Sequence, residues 1–191
     1  MQLILGSTSR YRAELLARLR QPFTTAAPQV DETPQPGEAP RALALRLARA
    51  KAQAVLAQHP GALVIGADQV ADVDGTPLGK PGSHEGAVAQ LRRLSGREVR
   101  FETAVAVARA GFAQDHLSTV TVRFRKLADA EIETYLRLDE PYDCAGSAKA
   151  ESLGVALLTR IDSDDPTALI GLPLIHTCTL LRAAGLDVLA P

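Results

Sequence analysis

The chain has 191 residues, of which 46% are hydrophobic and 23% charged, and its formal net charge at pH 7 is −1. This composition is that of an ordinary globular protein, which excludes a disordered chain, a collagen-like repeat and a coiled coil. A charge so near zero argues against binding to a nucleic-acid duplex. No apolar run approaches the about 18 residues that a membrane span needs, and the N-terminal MQLILG lacks the basic flank of a signal peptide. We therefore expect a cytoplasmic protein with a single domain, residues 1–191.

The N-terminal third of the chain predicts strand, helix, loop and helix in turn. Residues 2–6 (QLILG) are typical of a buried strand, and the STS that follows supplies hydroxyls that can cap a helix. A loop with four prolines covers 26–40, and residues 40–58 are helical. Lys51 shares a ridge with apolar residues of that helix. Its amine therefore either reaches solvent along the surface or projects into a cleft.

An unbroken apolar run at 62–67 predicts a buried strand, and we expect this strand to end where Asp68 follows it. Farther on, the pattern predicts three helices and three strands. The helices are expected at 84–94, 129–138 and 174–184, two neighbouring antiparallel strands at 98–109 and 116–126, and a last strand at 155–161. No internal repeat or linker divides the chain, so we expect one mixed α/β body.

Several common types of site are excluded by the sequence. There is no HExxH and no GxSxG motif, and GTPLGKP at 75–81 departs from a phosphate-binding P-loop in both its spacing and its last residue. Cys144 and Cys178 are too far apart for a zinc or redox motif, so we expect both to be packing residues. The four histidines show no metal-ligand spacing. They are His59, His84, His116 and His176.

The remaining polar residues suggest phosphate chemistry. They lie near the ends of predicted strands or in loops: Ser7, Arg12, Glu32, Lys51, Asp68, Lys80, Lys149 and Glu151. Ligands of open α/β sheets bind beyond the carboxyl ends of strands. Cationic side chains would neutralise a polyphosphate there, and carboxylates would hold a divalent metal and activate a water molecule. Each of these residues alone is typical of an ordinary surface charge, whereas the set together suggests an enzyme acting on a phosphate ester.

Seven short motifs in order connect the chain to a known family. They are GSTSRYR, APQVDE, RLARAKA, GADQV, GKP, CAGSAKAESLG and IGLPL. Along nearly its whole length the chain resembles the Maf family of nucleoside triphosphate pyrophosphatases. The resemblance implies a mixed, twisted central sheet flanked by helices, with two lobes around a deep cleft, similar to inosine triphosphate pyrophosphatases. It also implies a homodimer that cleaves a nucleotide between its α and β phosphates with a divalent metal, magnesium or manganese.

The resemblance assigns roles to individual residues. Asp68 matches the proton acceptor, and Glu32 together with Asp68 matches the acidic positions expected to assist the metal. The positions that meet the phosphates are Ser7, Arg12, Lys51, Lys80 and Lys149.

Three further residues point to the branch of the family that acts on 7-methyl-GTP. Gln69 and Glu151 replace the residues of the dTTP and UTP branch, and Tyr11 supplies an aromatic ring. Methylation gives guanine a positive charge that stacks well on such a ring, and a carboxylate can accept the N–H groups of the base. The alternatives are a dTTP or UTP pyrophosphatase and a nucleotide-binding regulator of septum formation without turnover.

Three residues depart from the pattern of this branch. Arg10 stands where the family usually has proline, Tyr11 where the branch more often has tryptophan, and Thr167 where asparagine is expected. None of the three belongs to the phosphate-binding set. The expected activity is therefore less affected by these departures than the expected choice of base.

Overall fold

The structure, a computed structural model, describes residues 1–190 and consists of a seven-stranded sheet with five α-helices. The strands are β1 (Leu3–Gly6), β2 (Phe23–Ala26), β3 (Leu63–Val73), β4 (Thr76–Leu78), β5 (Glu98–Arg109), β6 (Phe112–Phe124) and β7 (Leu158–Asp162). The helices are α1 (Arg10–Ala17), α2 (Pro40–Gln58), α3 (His84–Leu94), α4 (Asp129–Asp139) and α5 (Leu174–Ala183). Short 3-10 helices lie at Ala145–Ser147, Leu153–Leu157 and Ala168–Ile170.

The sheet is mixed, and its strands follow the order β2-β1-β3-β5-β6-β7, with β4 pairing only with β3. β1 runs parallel to β2 and β3, whereas all the other pairs are antiparallel. One face of the sheet packs against α2, and the opposite face packs against α1 and α5 at one end and against α3 and α4 at the other. The predicted mixed α/β architecture, with helices flanking a central sheet, is therefore confirmed.

The predicted end of the third strand is wrong. β3 does not stop before Asp68 but continues to Val73, because β5 pairs with it along this whole stretch, with Asp68 opposite Ala104. What ends near this point is the pairing of β3 with β1, whose last pair is Gly6 and Gly66. β4 takes up pairing on that side from Ala71 onward. Residues 67–70 of β3 therefore have no strand neighbour on the β1 side within the described chain, and a cleft opens there.

Two glycines bring α2 unusually close to the sheet. A Cβ atom added at Gly66 would lie 2.3 Å from the backbone oxygen of Ala48 and 2.5 Å from the backbone nitrogen of Ala52, closer than van der Waals contact allows. At Gly6 the same atom would lie 3.3 Å from the backbone oxygen of Lys51. The absence of these two side chains allows the helix backbone to pack directly on β1 and β3.

Most predicted elements are confirmed with small differences in their bounds. α2, α3 and β5 coincide with the prediction, and β5 and β6 are antiparallel neighbours. The predicted last strand at 155–161 is shifted to Leu158–Asp162, because a 3-10 helix occupies Leu153–Leu157. Among residues 1–190, no helix has both the length and the apolar character required to cross a membrane.

Candidate active site

The cleft lies beside the unpaired edge of β3 and has a volume of about 720 Å³, within the range of typical small-molecule sites. Its walls come from the turn after β1, the start of α1, one side of α2, the middle of β3, the end of β4 and four loops. Nearly all the predicted site residues line it: Ser7, Tyr11, Arg12, Glu32, Lys51, Asp68, Gln69, Lys80 and Glu151. The fold therefore gathers residues that are up to 144 positions apart in the sequence, from Ser7 to Glu151, around one space.

The innermost charges form a compact group, which we call the Glu32–Lys51–Asp68 cluster. The Lys51 ammonium donates to Asp68 Oδ1 at 2.7 Å and lies 2.8 Å from Glu32 Oε1. Lys51 and Asp68 are buried, with 5% and 6% of their surface exposed, whereas Glu32 is exposed. Of the two interpretations of Lys51, the one in which its amine enters a cleft is therefore confirmed.

Burial sets the protonation behaviour of Asp68. Loss of solvent raises the pKa of its carboxyl group, and the nearby Glu32 raises it further, whereas Lys51 and Arg12 lower it. Burial is the largest of these effects, so the net direction is upward. A carboxylate with a raised pKa is a stronger base than an ordinary aspartate, as a group that accepts a proton requires.

The start of α1 forms the second part of the site. Ser9 caps the helix by accepting from the Arg12 backbone N–H at 3.4 Å, as the STS motif predicts. The Ser7 hydroxyl accepts from the Ser9 backbone N–H at 3.1 Å and from Arg12 Nη1 at 3.4 Å. Arg12 Nε also donates to the Gly171 carbonyl at 2.9 Å. These contacts fix the Arg12 guanidinium and the Ser7 hydroxyl beside the N-terminus of α1. The N-terminus of a helix favours the binding of anions.

Opposing effects shift the pKa of Arg12. Burial lowers the pKa of its guanidinium, whereas the nearby Asp68 and Glu32 raise it. Arginine has so high an intrinsic pKa that it remains a cation in this environment. The cleft thus holds a fixed positive charge from Arg12 and another from Lys51, set against two carboxylates. A third cation, Lys80, lies on the exposed loop that follows β4 and also lines the cleft.

Tyr11 and Arg10 form a more exposed wall. The Arg10 guanidinium lies 4.8 Å from the centre of the Tyr11 ring and donates to the Tyr11 hydroxyl at 2.9 Å. Partial burial raises the pKa of that hydroxyl, an effect that Arg10 opposes. The departure from proline at position 10 therefore places a cation on the aromatic ring that was expected to meet a nucleobase.

Gln69 faces the other side of β3 from Asp68, because successive side chains of a strand alternate between its faces. Its Nε2 atom lies 2.9 Å from Thr103 Oγ1 and 3.0 Å from the backbone oxygens of both Ala168 and Leu169. Gln69 thus holds a segment of the cleft wall in place with its amide nitrogen. Gln69 also lines the cleft.

Glu151 and Lys149 are close in sequence but point in different directions. Glu151 lines the cleft, and partial loss of solvent raises the pKa of its carboxyl group, an effect that Lys149 opposes. The Lys149 ammonium instead donates to the backbone carbonyls of Asp139 and Glu140 at the end of α4. A helix C-terminus has carbonyls without helical partners and attracts cations. The structure therefore does not place Lys149 among the cations of the cleft.

Several lining residues were not identified from the sequence. Leu43 and Leu47 of α2 give the cleft an apolar side, and Asp143 and Cys144 come from the loop after α4. Two sequence signals were present: Leu47 lies one turn before Lys51, and Cys144 begins the motif CAGSAKAESLG. Burial raises the pKa of the Cys144 thiol to about 12, which makes it unreactive. Both cysteines are free thiols.

Thr167 has a structural position outside the cleft. Its hydroxyl lies 2.7 Å from Asp165 Oδ1 and 2.8 Å from the Leu172 carbonyl, and it accepts from the Leu174 backbone N–H at 2.8 Å. The threonine therefore ties the loop before α5 to the start of that helix. A hydroxyl is sufficient for these contacts, which gives a physical reason why an asparagine is not required at this position.

Comparison with known proteins places these residues in context. The sequence model of the family described as Maf-like protein matches residues 2–184. A 7-methyl-GTP pyrophosphatase of Polaromonas sp. (strain JS666) is 63% identical over 190 residues, covering 98% of this chain and 87% of that protein. One of Bordetella pertussis (strain Tohama I) is 64% identical over 189 residues, covering 98% and 94%. Among solved structures, the Staphylococcus aureus Ham1 protein is 16% identical with a TM-score of 0.49, covering 68% of this chain and 73% of that one.

Proposed function

The chain belongs to the Maf-like protein family, and we propose that it is a nucleoside triphosphate pyrophosphatase that hydrolyses 7-methyl-GTP to the monophosphate and pyrophosphate. Such an activity removes a modified nucleotide from the cell, a housecleaning role. The names of relatives that are 63% and 64% identical support this proposal. The single structural observation that carries it is the Glu32–Lys51–Asp68 cluster at the bottom of the cleft, beside Arg12.

In this proposal Asp68 is the general base. A water molecule attacks the α-phosphorus, a new P–O bond forms, and the bond from the α-phosphorus to the bridging oxygen breaks. Pyrophosphate leaves with the electrons of that bond, and the proton of the water passes to Asp68. The pairing of Lys51 with Asp68 at 2.7 Å holds the carboxylate in one orientation, as a base in a cleft requires.

The cationic residues would receive the phosphates. Arg12, Ser7 and the start of α1 present donors on one wall, and Lys80 presents an ammonium on another. Negative charge grows on the leaving pyrophosphate as the bond breaks, and fixed cations stabilise that charge without having to reorganise. Lys149 was also expected to bind phosphate, but it does not line the cleft with these residues.

The carboxylates also fit a divalent metal. Glu32 and Asp68 offer hard oxygen ligands, the type that Mg²⁺ and Mn²⁺ prefer, and Mg²⁺ commonly uses one or two carboxylates together with substrate phosphates. Glu32 is exposed to the cleft, so its carboxylate is accessible to an ion that arrives with the nucleotide. A metal held by these two residues would supply further neutralisation of the phosphate charge.

The choice of base is assigned to Tyr11, Gln69 and Glu151. Glu151 is a carboxylate at the cleft, and it would accept the N–H groups of guanine. The Tyr11 ring would stack on the methylated base, whose positive charge strengthens the contact. A pyrimidine offers Glu151 no equivalent pair of donors.

The proposal is tested by measuring pyrophosphate release from four nucleotides side by side, with Mg²⁺ and with Mn²⁺. We expect kcat/KM to be highest for 7-methyl-GTP, lower for GTP and lowest for dTTP and UTP. A preference for dTTP or UTP would assign the chain to the other branch. Binding of nucleotides without release of pyrophosphate from any of them would instead favour a regulatory role.

A further inference from the structure

Two histidines and an aspartate meet at a place away from the residues of the cleft. His116 lies on β6, Asp164 in the loop after β7, and His176 on α5. One possible ligand atom from each side chain lies within 4.8 Å of the other two. We call this group the His116–Asp164–His176 cluster. It brings together positions up to 60 residues apart, which explains why the spacing of the histidines in the sequence gave no sign of it.

The two imidazole rings of the cluster are stacked. Their centres are 3.5 Å apart and their planes differ by 13°. Burial lowers the pKa of His116, and the neighbouring His176 lowers it further, because two charged rings at this distance would repel each other. A neutral imidazole is the form of histidine that binds metal ions.

The hydrogen bonding of the rings is incomplete. The Nε2 atoms of His116 and His176 are both buried, and neither has a hydrogen-bond partner within the described part of the chain. Asp164 Oδ2 lies 3.5 Å from His176 Nε2 without a hydrogen bond between them. A buried polar atom without a partner is costly, and a pair of them facing one acidic residue calls for a shared ligand.

The surrounding carboxylates distinguish Asp164 from its neighbours. Three aspartates lie near enough to His116 to raise its pKa: Asp115, Asp164 and Asp165. Arg49 binds Asp115 with two hydrogen bonds at 2.7 and 2.9 Å. Asp165 accepts from Thr167 and from the Ile175 backbone N–H. Asp164, with 63% of its side chain exposed, remains available as a ligand.

We propose that the His116–Asp164–His176 cluster binds a divalent transition-metal ion such as Zn²⁺ or Co²⁺, at a site separate from the cleft. Two imidazoles and a carboxylate are a typical ligand set for such ions, and bonds of about 2.0–2.2 Å place tetrahedral ligand atoms about 3.3 Å apart. The 3.5 Å between Asp164 and His176 already approaches this spacing. A rotation of the exposed Asp164 and an opening of the two stacked rings, so that their in-plane lone pairs converge on the ion, would complete the set.

A metal at this site would join three parts of the fold. It would tie β6 to α5 and to the loop that begins after β7. The same loop continues to Ala168 and Leu169, whose carbonyls accept from Gln69 in the wall of the cleft. The ion would therefore act as a structural brace behind that wall, while the hard-oxygen set of Glu32 and Asp68 takes a different class of ion.

Co²⁺ titration tests this site directly. The full chain, stripped of metal, is titrated with Co²⁺ alone, and visible absorption reports tetrahedral coordination. We expect one equivalent to bind with the absorption of a nitrogen- and oxygen-ligated ion. At a free concentration about 100 times the dissociation constant, the melting temperature should rise by about 5–10 °C.

Matched variants separate this site from the cleft. His116→Gln and His176→Gln should each weaken Co²⁺ binding by more than the about 10- to 100-fold that loss of an outer-shell partner costs. His59→Gln, a change of an exposed histidine elsewhere, and Glu32→Gln, in the cleft, should retain the absorption. If a histidine variant does not fold, Asp164→Asn at its exposed position gives the same readout.

Three results would overturn the proposal. One is the absence of Co²⁺ absorption and of any thermal shift in the unmodified chain. Another is absorption that persists in His116→Gln and His176→Gln. The third is its loss in Glu32→Gln alone, which would move the ion to the cleft.

Discussion

The two ends of the cleft are built in different ways. At the end proposed to bind the phosphates, Lys51 and Asp68 are buried on α2 and β3, and Arg12 is fixed by Ser7 and Gly171. At the end proposed to bind the base, Glu151 is exposed on an irregular segment and Tyr11 is only partly covered. Three groups assigned to the reaction, Arg12, Lys51 and Asp68, thus lie on regular elements that pack closely. Two groups assigned to selectivity, Tyr11 and Glu151, lie where substitution disturbs little else.

This difference teaches how one fold can keep a reaction while its choice of base changes. A side chain on a packed helix or strand is held to a narrow range of positions, which chemistry at phosphorus requires. A side chain on an exposed segment is free to vary. The departures from the family pattern at Arg10, Tyr11 and Thr167 all lie outside the Glu32–Lys51–Asp68 cluster.

The largest effect is expected from Asp68→Asn. An amide cannot accept the proton of the attacking water, so kcat should fall by about 10²- to 10⁴-fold while nucleotide binding is largely kept. Asp72→Asn, a matched change on the same strand outside the cleft, should retain activity. Rapid-quench kinetics and equilibrium binding measure the two quantities. Near-normal turnover in Asp68→Asn would refute the assignment of the base.

Lys51→Gln should change the pH profile as well as the rate. Lys51 lowers the pKa of Asp68, so its loss lets that pKa rise further. The base works only when deprotonated, and activity is lost as the pH falls through its pKa. The acid limb of kcat/KM should therefore move to higher pH in the variant. If the acid limb stays at the same pH while the maximum of kcat/KM falls, Lys51 contributes to phosphate binding and does not control the pKa of Asp68.

Gly66→Ala tests the close packing that positions Lys51. The added Cβ would lie 2.3 Å from the Ala48 carbonyl, so α2 must move away from β3. Overpacking of this kind typically costs about 1–3 kcal/mol in the free energy of unfolding. We expect a lower denaturant midpoint together with reduced turnover. Gly61→Ala is the matched control, since nothing lies within 4 Å of its added Cβ.

Glu151→Gln should change selectivity and leave the reaction intact. A charged acceptor binds N–H donors about twice as strongly as a neutral one. The ratio of kcat/KM for 7-methyl-GTP to that for UTP should fall on the order of tenfold, a loss of about 1.4 kcal/mol of discrimination. An unchanged ratio would mean that another group recognises the base.

The smallest effect is expected from Arg10→Ala. The guanidinium lies over the Tyr11 ring and must share that ring with a cationic base. Its removal should lower KM for 7-methyl-GTP by about two- to fivefold, the size of an exposed cation–π contact, and change KM for GTP less. An equal change for both nucleotides would point instead to a contact with the phosphates. Arg18→Ala, at the C-terminal end of α1 and outside the cleft lining, serves as the control.

Much of this site could be predicted because its residues lie in contiguous motifs. Ser7 and Arg12 flank a capping turn, and Lys51 interrupts an apolar ridge. Asp143 carried no such signal, because only the folding of the loop after α4 brings it to the cleft. The direction of Lys149 likewise depends on the end of α4, which the local sequence does not indicate.

The sequence by itself determined the order of the helices and of most strands, the mixed α/β class and the family, because periodicity and short motifs are local properties of the chain. The tertiary structure decided where the cleft opens. Asp68 lies inside β3, since β5 continues the ladder after β1 has ended. The tertiary structure also decided that His116 and His176 stack, although 60 residues separate them in the sequence. Both outcomes depend on contacts between distant segments, which are fixed only when the whole sheet has formed.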